Sequence, residues 1–250
     1  MAKRAYSPKD VVKKTYRTIP WSDEWREVFG DVPDNEMWFI MGGSAGGKSS
    51  FVMKLAKELT NYGTVLYCSY EEGVSQSFGD RLRREKMTER QGRFRVVTDD
   101  TFEELKEQLA RPKSAKYVII DSFQESGFTY SEALELQERF PRKSFIYISQ
   151  EYKGAPMGKG ASRLKYRAGV KIKVSGHEAI SQGRFAVGGV YTIWEDGVMA
   201  RTNNATKEQV RVEYKIPAEI TKDMVTPEME AAVDQLRYQR KLMAINSKKI

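Results

Sequence analysis

Residues 42–49 read Gly-Gly-Ser-Ala-Gly-Gly-Lys-Ser and satisfy the spacing G-x-x-x-x-G-K-[ST]. Glycines tolerate the dihedrals and the close approach that let successive backbone N–H groups curl round a phosphate at the start of a helix. On that reading Gly42, Gly43, Ser44, Ala45, Gly46, Gly47, Lys48, Ser49 and Ser50 form a cradle for a nucleoside triphosphate. Lys48 reaches its β- and γ-phosphates and the Ser49 hydroxyl ligates Mg²⁺.

Three further segments end in polar residues that such a cradle can use. Lys116-Tyr117-Val118-Ile119-Ile120-Asp121 is an apolar run closing on a carboxylate, which suits Asp121 to the Mg²⁺ shell. Thr64-Val65-Leu66-Tyr67-Cys68-Ser69 leads into Tyr70-Glu71-Glu72-Gly73, and one of the two carboxylates can orient water for attack on the γ-phosphate. Alternate residues of an extended segment face opposite ways, so the other is left to the start of the next helix, a role that suits Glu72. Ser144-Phe145-Ile146-Tyr147-Ile148-Ser149-Gln150 ends in an amide placed to sense the γ-phosphate and to pass its state onward.

These signals need strands that finish at one edge. Apolar runs predict strands at 36–41, 64–69, 93–97, 117–121, 144–149, 170–174, 190–194 and 210–214. Helical spacing appears at 48–61, 74–86, 102–110 and 131–140. The alternation predicts an α/β fold with a mostly parallel central sheet flanked by helices. After Ile148 the helices run out, and the later strands read as antiparallel hairpins added at one sheet edge. A short helix is expected at 21–30 with Ser22 as its cap and Gly30 as its stop, and a tail helix at 227–244.

Composition narrows the class. With 250 residues, 40% hydrophobic and 11% aromatic, the chain can build a real core. No apolar stretch approaches a membrane span, and one cysteine and one histidine exclude a disulfide framework or a Cys/His zinc site within one chain. A reducing, cytoplasmic setting follows. Lys and Arg exceed Asp and Glu by 42 − 34, a net charge of +8, which favours an anionic partner. The excess concentrates at 3–17, 81–95 and 153–173; the last holds seven basic residues and no acid. Its glycines and small residues make it read as a mobile basic loop running into a strand, with Lys153, Lys159, Arg163, Lys165 and Arg167 as nucleic-acid contacts. Tyr152 and Tyr166 border it and offer rings for base stacking. Cys68 and the four tryptophans read as packing residues, and His177 as a turn residue.

In this order, the four polar strand ends resemble the RecA-like core of recombinases, RadA repair proteins and DnaB-type helicases. The stretch VLYCSYEEG is similar to that family's strand ending in Ser-x-Glu. The resemblance spans about Phe29 to Trp194 and is nearest to compact single-domain members of phage or mobile-element type. It implies ATP and Mg²⁺ as ligands, Glu71 as the catalytic glutamate, Asp121 as the Walker B aspartate and Gln150 as the sensor glutamine. It also implies a homo-oligomeric ring or filament in which Arg184 reaches a neighbour's γ-phosphate; the accompanying lysine of DnaB-type motors is Gln182 here, with Arg163 and Arg167 as substitutes. Three parts are expected: a basic extension at 1–28, an ATPase core at 29–216 and a helical tail at 217–250. The expected activity is ATP hydrolysis coupled to DNA, in recombination, repair or replication, rather than autonomous processive unwinding, since 28 residues before the core leave no room for the helicases' N-terminal domain. A nucleotide-gated assembly protein with negligible turnover is the rival, and a small-molecule kinase fits the Ser-x-Glu strand and basic segment less well.

Overall fold

Met37-Trp38-Phe39-Ile40-Met41 is apolar on both faces and folds as β1 (Met37–Gly42), every residue of which is buried. Such two-sided burial is the mark of a parallel strand covered by helices on both faces. The computed structural model describes residues 5–185 and 188–195. Met1–Ile193 form one compact unit; the predicted strand at 210–214 and the tail at 217–250 lie outside the described residues.

After the short α1 (Pro8–Val12) and α2 (Asp23–Phe29), strand and helix alternate as the periodicity requires: β1, α3 (Lys48–Leu59), β2 (Val65–Ser69), α4 (Gln76–Arg84), β3 (Phe94–Val97), α5 (Phe102–Ala110), β4 (Tyr117–Asp121), α6 (Tyr130–Arg139) and β5 (Ser144–Tyr152). The chain continues through β6 (Ala155–Pro156), α7 (Lys159–Arg167), β7 (Val170–Ser175), β8 (Glu178–Gly183) and β9 (Val190–Thr192). Strand order is β3-β2-β4-β5-β1-β7-β8-β9, with β6 paired to β5 alone. From β3 to β7 every pairing is parallel, and β8 and β9 are added antiparallel. The expected mixed α/β sheet with an antiparallel edge is therefore present.

The side-chain alternation of β1 divides the core. Trp38 and Ile40 pack with α2 and α3, whereas Met37, Phe39 and Met41 pack with α5, α6 and α7. Ser75, Thr101 and Thr129 cap α4, α5 and α6 by accepting N–H bonds from Phe78, Glu104 and Glu132. Gly30 stops α2 at φ 72°, as expected, but the Ser22 hydroxyl donates to Glu58 Oε1 at 3.2 Å instead of capping the helix.

Two expectations are corrected. The basic segment is not a loop: residues 159–167 form α7, because Ala161 and Leu164, three residues apart, bury against the second core. The helices accordingly do not run out after Ile148, and β7, besides opening the antiparallel hairpin with β8, pairs in parallel with β1. In the head, Ile19, Trp21, Trp25 and Val28 are buried in the first core. Trp21, Trp25, Trp38 and Cys68 are packing residues, as read from the sequence, while Trp194 is 54% exposed.

Candidate functional site

The strand β1 delivers its chain into the glycine-rich loop, and α3 takes it away. Gly42 pairs with Val174 of β7. A Cβ on Gly42 would overlap the Val174 carbonyl oxygen, so only glycine lets the strands close there. Gly47 enters α3 at φ 98° and offers no side-chain cap, which leaves the first-turn N–H groups available to an oxyanion. Lys48 Nζ donates to the Gly43 carbonyl at 3.0 Å and so already points back over the loop. The turn between β7 and β8 braces the other side: the His177 N–H donates to the Gly46 carbonyl at 3.3 Å, and the Ile193 N–H donates to the His177 carbonyl at 2.8 Å. His177 is thus a turn residue, at φ 66°, set against the phosphate loop.

The close approach at Gly42 yields a stability prediction. Gly42→Ala should destabilise the chain by about 1–3 kcal/mol, the usual result of overpacking a closed contact. Urea unfolding checks it, and an unchanged midpoint would mean that β1 and β7 separate without strain.

Beside the loop stands Asp121, at the end of β4. Its carboxylate accepts a hydrogen bond from the Tyr67 hydroxyl. Burial, reinforced by the nearby Glu71 charge, raises the Asp121 pKa to about 6, against the opposing effect of Tyr67, Arg81 and Lys48. The Tyr70 and Glu71 N–H groups donate to the Asp121 carbonyl at 2.7 and 3.1 Å, fastening the end of β2 to the end of β4.

That arrangement separates the two glutamates. Glu72 accepts hydrogen bonds from the Ser75 and Ser77 hydroxyls and from Arg81 Nη1 at 2.8 Å. Burial alone would raise its pKa, but the bonds from Arg81, Ser77 and Ser75 outweigh it and hold the carboxyl below its ordinary value. Glu72 is spent on the start of α4. Glu71 is exposed, and its carboxylate has no hydrogen bond or ion pair among the described residues, so it is the carboxylate with freedom to act on a ligand.

The donor set suits Mg²⁺ better than a metal held by protein alone. Among the described residues no group of three or more His, Cys, Asp or Glu could hold a metal ion. Mg²⁺ is commonly held by one or two protein oxygens together with substrate phosphates and water. A buried carboxylate, its pKa raised first by burial and then by Glu71 and within electrostatic reach of Lys48, fits that pattern.

Gln150 lies in β5, opposite Gly42 of β1. Its N–H donates to Gln124 Oε1 at 3.4 Å and its carbonyl accepts the Met157 N–H at 3.0 Å. Gln124 Nε2 in turn donates to Ser149 Oγ at 2.9 Å and to the Met157 carbonyl at 2.7 Å. The strand β5 is therefore tied directly to the chain entering α7. Next to it Glu151 pairs with Lys173 of β7 at 3.4 Å, bridging the two strands that flank β1. Gln124, Arg81, Tyr67 and the Glu151–Lys173 pair carry no motif of their own; only Gln124, polar and just past a strand end, left a signal in the sequence.

On α7, Lys159, Arg163, Tyr166 and Arg167 are exposed, with Tyr166 at 83%. Lys165 is half-buried, and Lys153 lies over the exposed Tyr152 ring at 5.3 Å. Arg163 lies 3.9 Å from the Tyr130 ring centroid. None of the basic residues of α7 forms an ion pair among the described residues.

The sheet separates Arg184 from the phosphate loop. Gly183 pairs with Val170, at the start of β7, so Arg184 stands about 17 Å along the strand from the edge that carries the phosphate loop. Its Nη2 donates to the Arg167 carbonyl at 2.9 Å and its N–H to the Gly169 carbonyl at 3.0 Å. It cannot serve the loop of its own chain. Gln182 faces Lys171 across the β7–β8 ladder, which puts a lysine beside the position that lacks one.

No family model matches the chain. The DNA repair protein RadA of Streptococcus pyogenes is 30% identical over 118 residues, 46% of this chain and 25% of the relative. RadA of Streptococcus pneumoniae is 28% identical over 109 residues, 43% of this chain and 25% of the relative. The chain thus spans a quarter of the length of the curated relatives it matches. The chain is thus a mixed α/β phosphate-loop fold that is similar in sequence to RadA over part of its length. Solved structures similar to this chain include the flagellar accessory protein FlaH of Methanocaldococcus jannaschii, with TM-score 0.49 and 17% identity over 66% of this chain and 84% of that one. A KaiC-like protein of Pyrococcus horikoshii has TM-score 0.49 at 16% identity, over 69% of this chain and 90% of that one. No helix among the described residues is long and apolar enough to cross a membrane.

Proposed function

We propose that this RecA-like chain binds ATP with Mg²⁺, hydrolyses it, and couples the reaction to its hold on DNA. The observation that carries the reading is the convergence at one sheet edge of the glycine loop with Lys48, the buried Asp121 and the uncommitted Glu71. Glu71 orients a water for in-line attack on the γ-phosphorus; the bond to the bridging oxygen breaks and ADP leaves with the electron pair. Lys48 holds the β- and γ-phosphate oxygens, and Ser49 and Asp121 hold Mg²⁺. Bound there, the cation neutralises charge on the phosphate oxygens.

Coupling to DNA is supported by the hydrogen bonds that run from Gln150 through Gln124 and Met157 to the start of α7. The exposed cations of α7 contact phosphates, and Tyr166 and Tyr152 offer rings to single-stranded bases. Arg184 acts on a neighbour's nucleotide in a homo-oligomer, a reading supported by its distance from its own phosphate loop. The rival is a protein whose assembly, rather than turnover, follows ATP. It is favoured by the bond that ties Arg184 to the Arg167 carbonyl and by Gln182 in place of a lysine.

The DNA reading is tested with Lys159→Glu combined with Arg167→Glu, which leaves the Arg163–Tyr130 contact intact. Affinity for an oligothymidylate should fall by about tenfold or more at moderate salt, and the slope of log affinity against log salt should shrink by about two. ATP affinity should stay as it was. Unaltered oligonucleotide binding would remove α7 from the DNA surface.

A further inference from the structure

The end of the sheet remote from the phosphate loop carries a second basic site. Two adjoining cavities open there, of about 420 and 130 Å³, sharing Leu109 and Ser114 in their walls. They lie where α5 and α6 end and where β2, β4 and β5 begin. The larger falls within the range of about 300–1,000 Å³ usual for small-molecule sites.

The lining is one-sided in charge. Lys116, Arg139, Arg142 and Lys143 face the larger cavity, Arg95, Arg111 and Lys113 the smaller, and neither wall contains a carboxylate. Two of these cations are occupied within the fold: Lys116 Nζ pairs with Asp34 at 3.0 Å, and Lys143 Nζ donates to the Ala115 carbonyl at 2.6 Å and Ser114 Oγ at 2.8 Å. The other five form no ion pair among the described residues. The C-terminal dipoles of two helices favour a cation each, fewer than are gathered here. Crowding has a visible effect, because burial and then the charges of Lys116 and Arg142 lower the Lys143 pKa.

Two uncharged groups narrow the ligand. Phe140 presents a half-buried ring in the larger cavity, with Arg139 and Lys143 each 5.9 Å from its centroid. Gln108 lines the smaller cavity, and its side-chain oxygen is buried without a hydrogen-bond partner. A ring face among cations suits an aromatic base joined to a phosphate, and the carboxamide suits the polar edge of that base. An acidic peptide satisfies the cations alone.

We propose that this recess binds nucleoside phosphates and serves as a second contact for single-stranded nucleic acid. The base lies against Phe140 and the phosphate among the arginines. The site is separate from α7, and nucleotide bound at the phosphate loop leaves it open.

The test uses the full chain with Arg139→Gln combined with Arg142→Gln, and as a second variant Arg111→Gln combined with Lys113→Gln in case the first fails to fold. Labelled oligothymidylate should bind either variant about tenfold more weakly, with the salt slope reduced by about two. The affinity of the phosphate loop for ATP, read as the part of ATP binding that Lys48→Ala removes, and the effect of the α7 substitutions should be unchanged. A thiothymidine oligonucleotide, photo-crosslinked and mapped by mass spectrometry, should label the peptide around 139–143 as well as that around 152–167. Competition by thymidine monophosphate as strong as by the oligonucleotide would assign the site to free nucleotide and uphold the nucleoside-phosphate chemistry. Unchanged binding by both variants, or crosslinks confined to 152–167, would overturn the proposal. So would oligoglutamate competing for the recess as well as thymidine monophosphate does, since the site would then be one for acidic protein.

Discussion

Lys48→Ala should lower ATP turnover by about a hundredfold to a thousandfold, the usual consequence of removing one preorganised charge from a transition state. The magnitude is large because the nearby cations are occupied: Arg84 donates to Ser50 Oγ at 3.0 Å and pairs with Glu85. Lys48 is the residue whose Nζ bends back to the Gly43 carbonyl, and Arg81 is committed to Glu72. Glu71→Gln should lower turnover comparably but leave ATP affinity nearly intact, because the Glu71 carboxylate has no hydrogen bond within the described fold to lose. Steady-state phosphate release with saturating ATP and Mg²⁺, with and without single-stranded DNA, reads both. Turnover that DNA stimulates and both substitutions remove supports the coupled ATPase. A wild-type chain that binds ATP tightly and releases no phosphate supports the assembly protein instead, and undiminished turnover in Glu71→Gln would pass the catalytic role to another group.

How far the sequence discloses this site depends on whether a residue acts through its own spacing or through what folds against it. The phosphate loop is legible because its glycines, Lys48 and Ser49 are contiguous and lie between an apolar run and an amphipathic one. The strand ends at Glu71, Asp121 and Gln150 are legible for a related reason, since parallel strands bring their C-terminal ends to one edge. The commitment of Glu72 rests on Arg81, Ser75 and Ser77, partners that only the fold brings to it. Residues 159–167 mislead in a different way. Glycines and a high density of charge hide a two-residue apolar anchor, Ala161 and Leu164, that suffices to seat a short helix on the core. In the head, Trp21 and Trp25 are legible as packing residues from their type, whereas Ile19 joins the same core without a signal of its own.

Asp121→Asn should stabilise the nucleotide-free chain while abolishing its response to Mg²⁺ and ATP. The Asp121 carboxyl has its pKa raised from 3.8 to about 6, chiefly by burial. A group raised in the folded state binds its proton more tightly there than in the unfolded chain, so stability falls as pH climbs between the two values. Above the upper value the full difference is present, on the order of 2–3 kcal/mol. Asparagine removes the charge and keeps an oxygen to accept from Tyr67, whose hydroxyl bonds Asp121 in the wild type. The variant should therefore melt about 5–10 °C higher at neutral pH, with the gap closing as pH falls to about 4. Adding ATP and Mg²⁺ should raise the wild-type melting temperature by linkage and leave the variant nearly unmoved. The opposite sign, a variant that melts lower at neutral pH, would mean that Tyr67, Lys48 and Arg81 hold the ionised carboxylate more firmly than burial opposes it. Carboxylate strain and cation binding would then be separate properties of Asp121, and the raised pKa would lose its standing as a sign of a metal site.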